Sequence, residues 1–202
     1  MGLISNGTTL LDGGSLDAGV AKGSLTHIKT LTASSSSDLT FVHGSASVVL
    51  DGTYKEYIFK YYDIHGSAAS MLSVNFRDGG TDYDASKTGS FFEVYQNEAG
   101  TSTSLAYVND YDSHGTTGVQ RLGYVGAEND ESLAGSLHFF DPANTTFAKH
   151  YMAKTQGYHA SDLAITSYVG GYCNTTTAID AVQFTMASGN IDSGTIKLYG
   201  VS

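Results

Sequence analysis

Apolar and polar residues alternate with a period of two along much of the chain, and this alternation constrains the fold more than any other feature. In segment 56–62, Tyr57, Phe59 and Tyr61 fall on one face. A sheet with one buried and one solvated face produces this pattern. No window longer than a turn or two keeps an apolar i, i+3, i+4 stripe free of glycine. Other apolar residues that alternate with polar neighbours are Leu72, Val74, Phe76, Leu137, Phe139, Val182, Phe184, Met186, Ile196 and Leu198.

The connecting segments favour an antiparallel sandwich. The chain has 24 glycines and a single proline, Pro142, and clusters of Gly, Asp, Asn and Ser separate the alternating runs. Their spacing predicts roughly ten strands in one all-β domain. An antiparallel β-sandwich of jelly-roll type is the first prediction, and another β-sandwich is the second. In segment 72–77 the pattern places Ser73, Asn75 and Arg77 on the solvated face.

The first 24 residues differ from the rest in composition, because they are rich in Gly, Asp and Ser and contain only scattered apolar residues. We expect them to form an extended N-terminal arm, followed by a single sandwich domain over residues 25–202. The apolar residues of the arm need a partner surface, either on the same chain or on a neighbour; the alternative is a loose terminus. The predicted partner-binding residues are Leu3, Ile4, Leu10, Leu11 and Leu16.

The charge of the chain excludes several classes of partner. Lys and Arg total 10 against 20 Asp and Glu, which gives a formal net charge of −10, and the cations form no run. Nucleic acid is not an expected partner, because its recognition needs cations that displace counterions from phosphates. The same sign argues against anionic membrane surfaces. No apolar run approaches the ~18 residues that span a membrane, and residues 1–24 do not resemble a signal peptide.

The sequence predicts no catalytic centre, metal or cofactor. None of the seven histidines forms a His-x-His pair, and no Gly-x-Ser-x-Gly elbow is present. Cys173 is the only cysteine, which excludes an intrachain disulfide, and we expect it to be buried in a strand over residues 166–173. The aspartates that could bind calcium lack the loop pattern with its closing glutamate, and they are Asp78, Asp82, Asp84, Asp110 and Asp112.

The aromatic composition indicates a recognition surface. The chain has 14 Tyr, 9 Phe and no Trp, and exposed tyrosines suit binding because they combine apolar area with a hydroxyl. We expect Tyr57 and Tyr61 in the core. The tyrosines in turn-rich stretches, which are better candidates for contacts, are Tyr83, Tyr111, Tyr124 and Tyr158.

Two closely spaced segments near the C-terminus, AIDAVQF at 178–184 and SGNIDSGTIKLYG at 188–200, resemble the ending of small virion proteins of marine tailed bacteriophages. Segments 1–19, 48–57 and 95–100 are similar to the same family. The resemblance implies a β-sandwich component of the particle, either a capsid decoration or cement protein or part of a tail fibre. It supplies no catalytic residues.

These observations together predict a non-enzymatic virion structural protein, made in the host bacterial cytoplasm, that stabilises the capsid surface. We expect a homo-oligomer, with a trimer preferred, in which the arm binds a neighbour and the partners are capsid or tail proteins. The first alternative is a tail or fibre component that binds host-surface glycans. A glycan-cleaving enzyme is a third possibility, since paired carboxylates need only spatial proximity.

Overall fold

The computed structural model describes residues 3–5, 8–12, 15–16 and 24–202. The described chain is built from β-strands, with one 3-10 turn at Asn109–Tyr111. No helix of this part is long and apolar enough to cross a membrane. The strands are β1 Leu3–Ser5, β2 Thr8–Asp12, β3 Ser15–Leu16, β4 Leu25–Thr32, β5 Asp38–Val42, β6 Glu56–Gly66, β7 Ser70–Arg77, β8 Lys87–Asn97, β9 Thr103–Tyr107, β10 Ser113–Thr116, β11 Gln120–Val125, β12 Leu133–Phe140, β13 Lys149–His159, β14 Leu163–Cys173, β15 Ala181–Met186 and β16 Ile191–Val201.

Two antiparallel sheets pack face to face from Leu25 onward, which confirms the predicted β-sandwich. The large sheet has nine strands in the order β10-β8-β14-β13-β12-β6-β16-β4, with β9 also paired to β8. The small sheet has the order β11-β7-β15-β5. Strands β8, β9, β10, β13 and β14 extend the large sheet beyond β12. Eight strands of the two sheets remain: β4, β5, β6, β7, β11, β12, β15 and β16. When these are renumbered 1 to 8 in chain order, the large sheet has the order 6-3-8-1 and the small sheet has the order 5-4-7-2.

The described parts of the predicted arm form a small sheet of their own, in which β1, β2 and β3 pair antiparallel. Leu3 pairs with Leu11, and Leu11 pairs with Leu16. The described parts of the arm therefore have extended backbone and pair with one another, and the prediction that they form an arm bound to a partner surface stays a prediction. The remaining residues of segment 1–23 lie outside the described part of the chain.

Aromatic side chains fill the space between the two sheets. Tyr57, Phe59 and Tyr61 of β6 are fully buried, as their alternation predicts. The Phe59 ring lies 5.2 Å from that of Phe41 and 5.4 Å from that of Phe184, which join the two layers. The buried hydroxyl of Tyr61 has a partner, because it lies 2.5 Å from Thr155 Oγ1.

Strand β7 departs from the predicted pattern, because seven of its eight residues are buried and only Arg77 is partly exposed. The prediction that Ser73 and Asn75 face solvent is wrong. A neighbouring segment covers this face of the small sheet: Asn75 Nδ2 donates to the carbonyl of Thr117 at 3.1 Å, and Arg121 Nη1 donates to Ser73 Oγ at 3.2 Å. Alternation in sequence therefore marks two faces of β7, but both are covered.

The strands that extend the large sheet beyond β12 have two buried lysines on their inner face, on either side of a buried cysteine. Lys87, Cys173 and Lys149 are direct cross-strand neighbours on β8, β14 and β13. The predicted burial of Cys173 is confirmed, and burial raises the pKa of its thiol to about 12. Lys87 Nζ donates to the carbonyl of Gly118 at 2.6 Å, and Lys149 Nζ donates to that of Thr175 at 3.0 Å. Burial lowers the pKa of Lys87 to about 8.

Candidate functional site

The residues predicted to bind a partner lie on the three short N-terminal strands. Leu3 and Ile4 are in β1, Leu10 and Leu11 are in β2, and Leu16 is in β3. The side chain of Ile4 is 63% exposed. The side chains of the other four lie outside the described residues. Their role as contacts stays a prediction.

The outer face of the large sheet is the surface on which exposed aromatic, apolar and cationic side chains meet. In β13 the alternation is strict: Tyr151, Ala153 and Thr155 are buried, whereas Met152 and Lys154 are exposed. Strands β8 and β14 follow the same rule over much of their length. The small sheet covers the inner face of these strands, so only their outer-face residues are free to contact a partner.

Strand β9 forms an apolar edge at one end of this face. It pairs with β8 on one side and has no strand partner on the other in the described structure. Its sequence, TSLAY, contains neither a charge nor a proline. Leu105 is 74% exposed and Tyr107 is 60% exposed, and they lie beside the exposed Val94 and Phe92 of β8. Soluble proteins usually protect such edges with charges, prolines or covering segments.

A single row of side chains crosses the outer face from β9 to β4, one residue from each strand. At one end the rings of Phe92 and Tyr168 stack at 4.9 Å and 9°. Lys60 and Lys197 are direct cross-strand neighbours further along. We call this set the aromatic–lysine row; its members are Tyr107, Phe92, Tyr168, Lys154, Ser136, Lys60, Lys197 and Thr30.

Each lysine of the row lies close to a tyrosine ring. The Nζ atoms of Lys154, Lys60 and Lys197 lie 5.4, 5.8 and 5.5 Å from ring centroids, which belong to Tyr168, Tyr199 and Tyr62 respectively. None of the three takes part in an ion pair among the described residues. The row therefore presents cations that no carboxylate of the described chain neutralises.

An open groove continues from this row toward the end of β13 and β14 and has a volume of about 560 Å³. The Tyr158 hydroxyl donates to Asp162 Oδ1 at 3.2 Å and lies 3.4 Å from Glu98 Oε1. Partial burial and these two carboxylates raise the pKa of Tyr158 to about 12. Residues that line the groove include Gln96, Glu98, Gln156, Tyr158, Asp162 and Ala164.

Gly170 leaves a gap on the same face between Tyr168 and Tyr172. A side chain at this position would have open space, with no atom within 4 Å of its Cβ. Gly171 has the opposite environment, because a Cβ there would lie 2.4 Å from the Tyr151 hydroxyl. The glycine pair thus fits a core tyrosine on one side and forms a shallow depression on the other.

The aspartates considered as calcium ligands have other roles where the structure gives them contacts. Asp112 Oδ1 accepts from the Phe91 N–H at 2.6 Å, and Asp112 Oδ2 accepts from the Tyr107 hydroxyl, so this carboxylate fixes the segment after β9. Asp82 accepts from Thr81 Oγ1 at 3.2 Å. Within the described ranges, no three His, Cys, Asp or Glu side chains are grouped to hold a metal ion.

The tyrosines predicted as contact residues are not the most exposed ones. Tyr111 packs edge-on against Phe91 at 5.2 Å, and Tyr124 stacks on His159 at 4.0 Å. Tyr158 lines the groove. The most exposed tyrosine of the outer face is instead Tyr107 in β9, where Leu105, Ala106 and Tyr107 are consecutive apolar residues and give no alternation that marks the exposed side.

No match to the chain was found among protein-family models, curated proteins or solved structures.

Proposed function

We propose that this chain is a non-enzymatic structural protein of a phage virion, which self-assembles and decorates or cements the capsid surface. The observation that carries the proposal is the apolar edge formed by β9. An uncharged edge strand with Leu105 and Tyr107 exposed is a template for further association. Large exposed apolar patches on soluble domains commonly mark interfaces.

Two further features support this assignment. The C-terminal segments resemble those of small virion proteins, and β16, which contains residues 191–200 of them, is paired on both sides within the large sheet. The strand orders 6-3-8-1 and 5-4-7-2 agree with a jelly roll, an architecture that recurs in viral capsid proteins. The passive role requires only that subunit contacts bury enough area, and ~1,600 Å² in total suffices for a specific interface.

The edge can be tested with one substitution and a matched control. Leu105→Lys places a charge on the apolar edge, and Phe147→Lys places one on a similarly exposed residue, 69% exposed, outside any strand. We expect Leu105→Lys to reduce the oligomer, with a trimer as the preferred form, and Phe147→Lys to leave it intact. Light scattering measures the mass, and circular dichroism checks the fold. A Leu105→Lys protein with the wild-type mass would contradict a role for this edge.

The arm provides a second, separate contact in this proposal. Removal of residues 1–24 is expected to leave the sandwich folded and to weaken either the oligomer or its attachment to particles. Burial of a leucine stabilises by roughly 1.5–3 kcal/mol, so two or three docked side chains offset the ordering of several residues. If the truncated protein assembles and binds particles like the full chain, the arm is an ordinary terminus. The copy number on purified particles distinguishes capsid from tail.

A second candidate function is glycan binding by a tail or fibre component. The observation that favours it is the outer face, where the exposed rings of Tyr107 and Phe92 belong to a row of side chains that adjoins a groove lined by amide, carboxylate and hydroxyl groups. Ligand sites commonly combine apolar surface with a few convergent polar groups. A glycan-array experiment with the full chain tests this function independently of assembly.

A further inference from the structure

The lysines of the aromatic–lysine row repel one another in the folded chain. Lys60 and Lys197 are directly opposite each other on adjacent strands, and Lys154 is separated from Lys60 by Ser136 alone. Like charges in directly opposite positions destabilise a sheet. The chain has twice as many acidic as basic residues, yet the row contains no carboxylate among its described members.

The shape of the row fits an extended ligand. Its members belong to consecutive strands, and six strand spacings of ~4.8 Å separate Tyr107 from Lys197, which gives a track of about 30 Å. The aromatic half offers the exposed rings of Tyr107 and Phe92, with Tyr168 stacked behind Phe92, and the lysine half offers three ammonium groups. The small side chain of Ser136 and the open space at Gly170 leave room above the strands.

We infer that this row binds an acidic polysaccharide, with sugar rings on Tyr107 and Phe92 and anionic groups on Lys154, Lys60 and Lys197. The inference rests on the second proposed function and specifies its site and the charge of its ligand. Charge complementarity selects an anionic partner, because the lysines lack anions of their own. Exposed planar rings favour a partner with sugar rings over an acidic peptide, since they provide apolar faces on which such rings stack.

Three probes separate charge from ring chemistry. Polygalacturonate oligosaccharides have both sugar rings and carboxylates, their methyl esters keep the rings without the charge, and poly-L-glutamate keeps the charge without the rings. We expect the full chain to bind polygalacturonate at least about tenfold more tightly than either of the other probes, as measured by isothermal titration calorimetry. Binding should weaken with added salt, because exposed charges are screened.

Variants of the full chain locate the site. The triple variant Lys60→Gln, Lys154→Gln, Lys197→Gln is expected to lose about tenfold in affinity for polygalacturonate, since exposed charge contacts are individually weak. Phe92→Ala should weaken the binding of both polygalacturonate and its ester. Lys154→Gln has a matched control in Lys55→Gln, because the Lys55 side chain is 77% exposed but pairs with Asp141 away from the row. Melting temperatures confirm that each variant is folded.

The other possible outcomes contradict different parts of the proposal: the charge of the ligand, its sugar rings, or glycan binding itself. Equal binding of the ester, with no effect of the lysine substitutions, would refute the acidic ligand and leave glycan binding in place. Equal binding of poly-L-glutamate would indicate an acidic protein surface as the partner. If no glycan binds, both the inference and the glycan-binding function fail, and the proposed role in assembly is unaffected.

Discussion

Lysines on the inner and outer faces of β13 and its neighbouring strands differ in burial and in their contacts. On the inner face, Lys87 and Lys149 are buried, and backbone carbonyls accept from their ammonium groups. On the outer face, Lys154 and its neighbours in the row lie over tyrosine rings and have no such partners among the described residues. A buried cation must be satisfied because desolvation is costly, so the inner lysines hold the segments that contain those carbonyls. The outer lysines make no such contribution and are available to a ligand.

The largest expected difference between the two faces is in stability. Lys87→Ala removes a fully buried stem and leaves the carbonyls of Thr117 and Gly118 without their donor, so we expect a loss of about 2–5 kcal/mol in the free energy of unfolding. Lys154→Ala on the outer face should change it by less than about 0.5 kcal/mol. Urea titrations followed by circular dichroism measure both. Similar losses for the two variants would show that the faces are not distinct.

The free energy of unfolding, measured at several pH values, tests the burial of Lys87 on the inner face. The pKa of Lys87 is about 8 in the folded chain against an ordinary value of 10.5, so between these values the unfolded state holds a proton that the folded state has lost. The unfolding free energy attributable to Lys87 therefore rises with pH, by up to about 3 kcal/mol from pH 8 to 10.5. Lys87→Met should lack this rise.

Cys173 acts in the opposite direction in part of this range and must be removed from the test. Its folded pKa is about 12 against an ordinary 9.0, so above pH 9 the unfolded state loses its proton first and stability falls. Comparison of Cys173→Ala with the double variant Lys87→Met, Cys173→Ala isolates the lysine. The tyrosines with raised pKa values are common to both proteins, so their contributions cancel. A difference that stays constant from pH 8 to 10.5 would contradict the assignment.

The smallest expected effect concerns the outer lysines. Lys60→Gln removes the like-charge contact with Lys197 but also the contact with the Tyr199 ring, so the free energy of unfolding should rise by no more than about 0.5 kcal/mol. The same substitution is part of the variant expected to lose polysaccharide binding. A gain in stability together with a loss of binding would indicate that the row is maintained for recognition. Thermal melts at low and high salt check the electrostatic origin, because screening should reduce the gain.

The sequence predicted the two-layer architecture where one face of a strand is apolar and the other polar. Tyr57 and Tyr61 in β6 were predicted correctly on this basis, and so was the strand that contains Ile196 and Leu198. The pattern was misleading in β7, because a segment that is distant in sequence covers Ser73 and Asn75. Local periodicity reports which face a side chain is on, but not whether another part of the chain covers that face.

The candidate site was harder to predict for a similar reason. Phe91 and Phe92 are adjacent in sequence, but one is buried and the other is exposed, so the run of aromatics in β8 does not reveal its faces. The lysines of the row come from three different strands, and only the pairing register brings them together. The prediction that exposed tyrosines make contacts stays a prediction, and it named residues in turn-rich stretches of sequence instead of Tyr107 on the edge strand.

The glycine pair of β14 gives the chain a ready position for a fluorescent probe. Gly170→Cys would place a thiol in the open depression beside Tyr168, whereas the native Cys173, three residues further along the same strand, is fully buried and has a raised pKa. A maleimide dye would therefore label position 170 selectively in the native protein, without removal of the native cysteine. The emission of such a dye would report directly on whatever occupies the outer face, in solution or on an assembled particle.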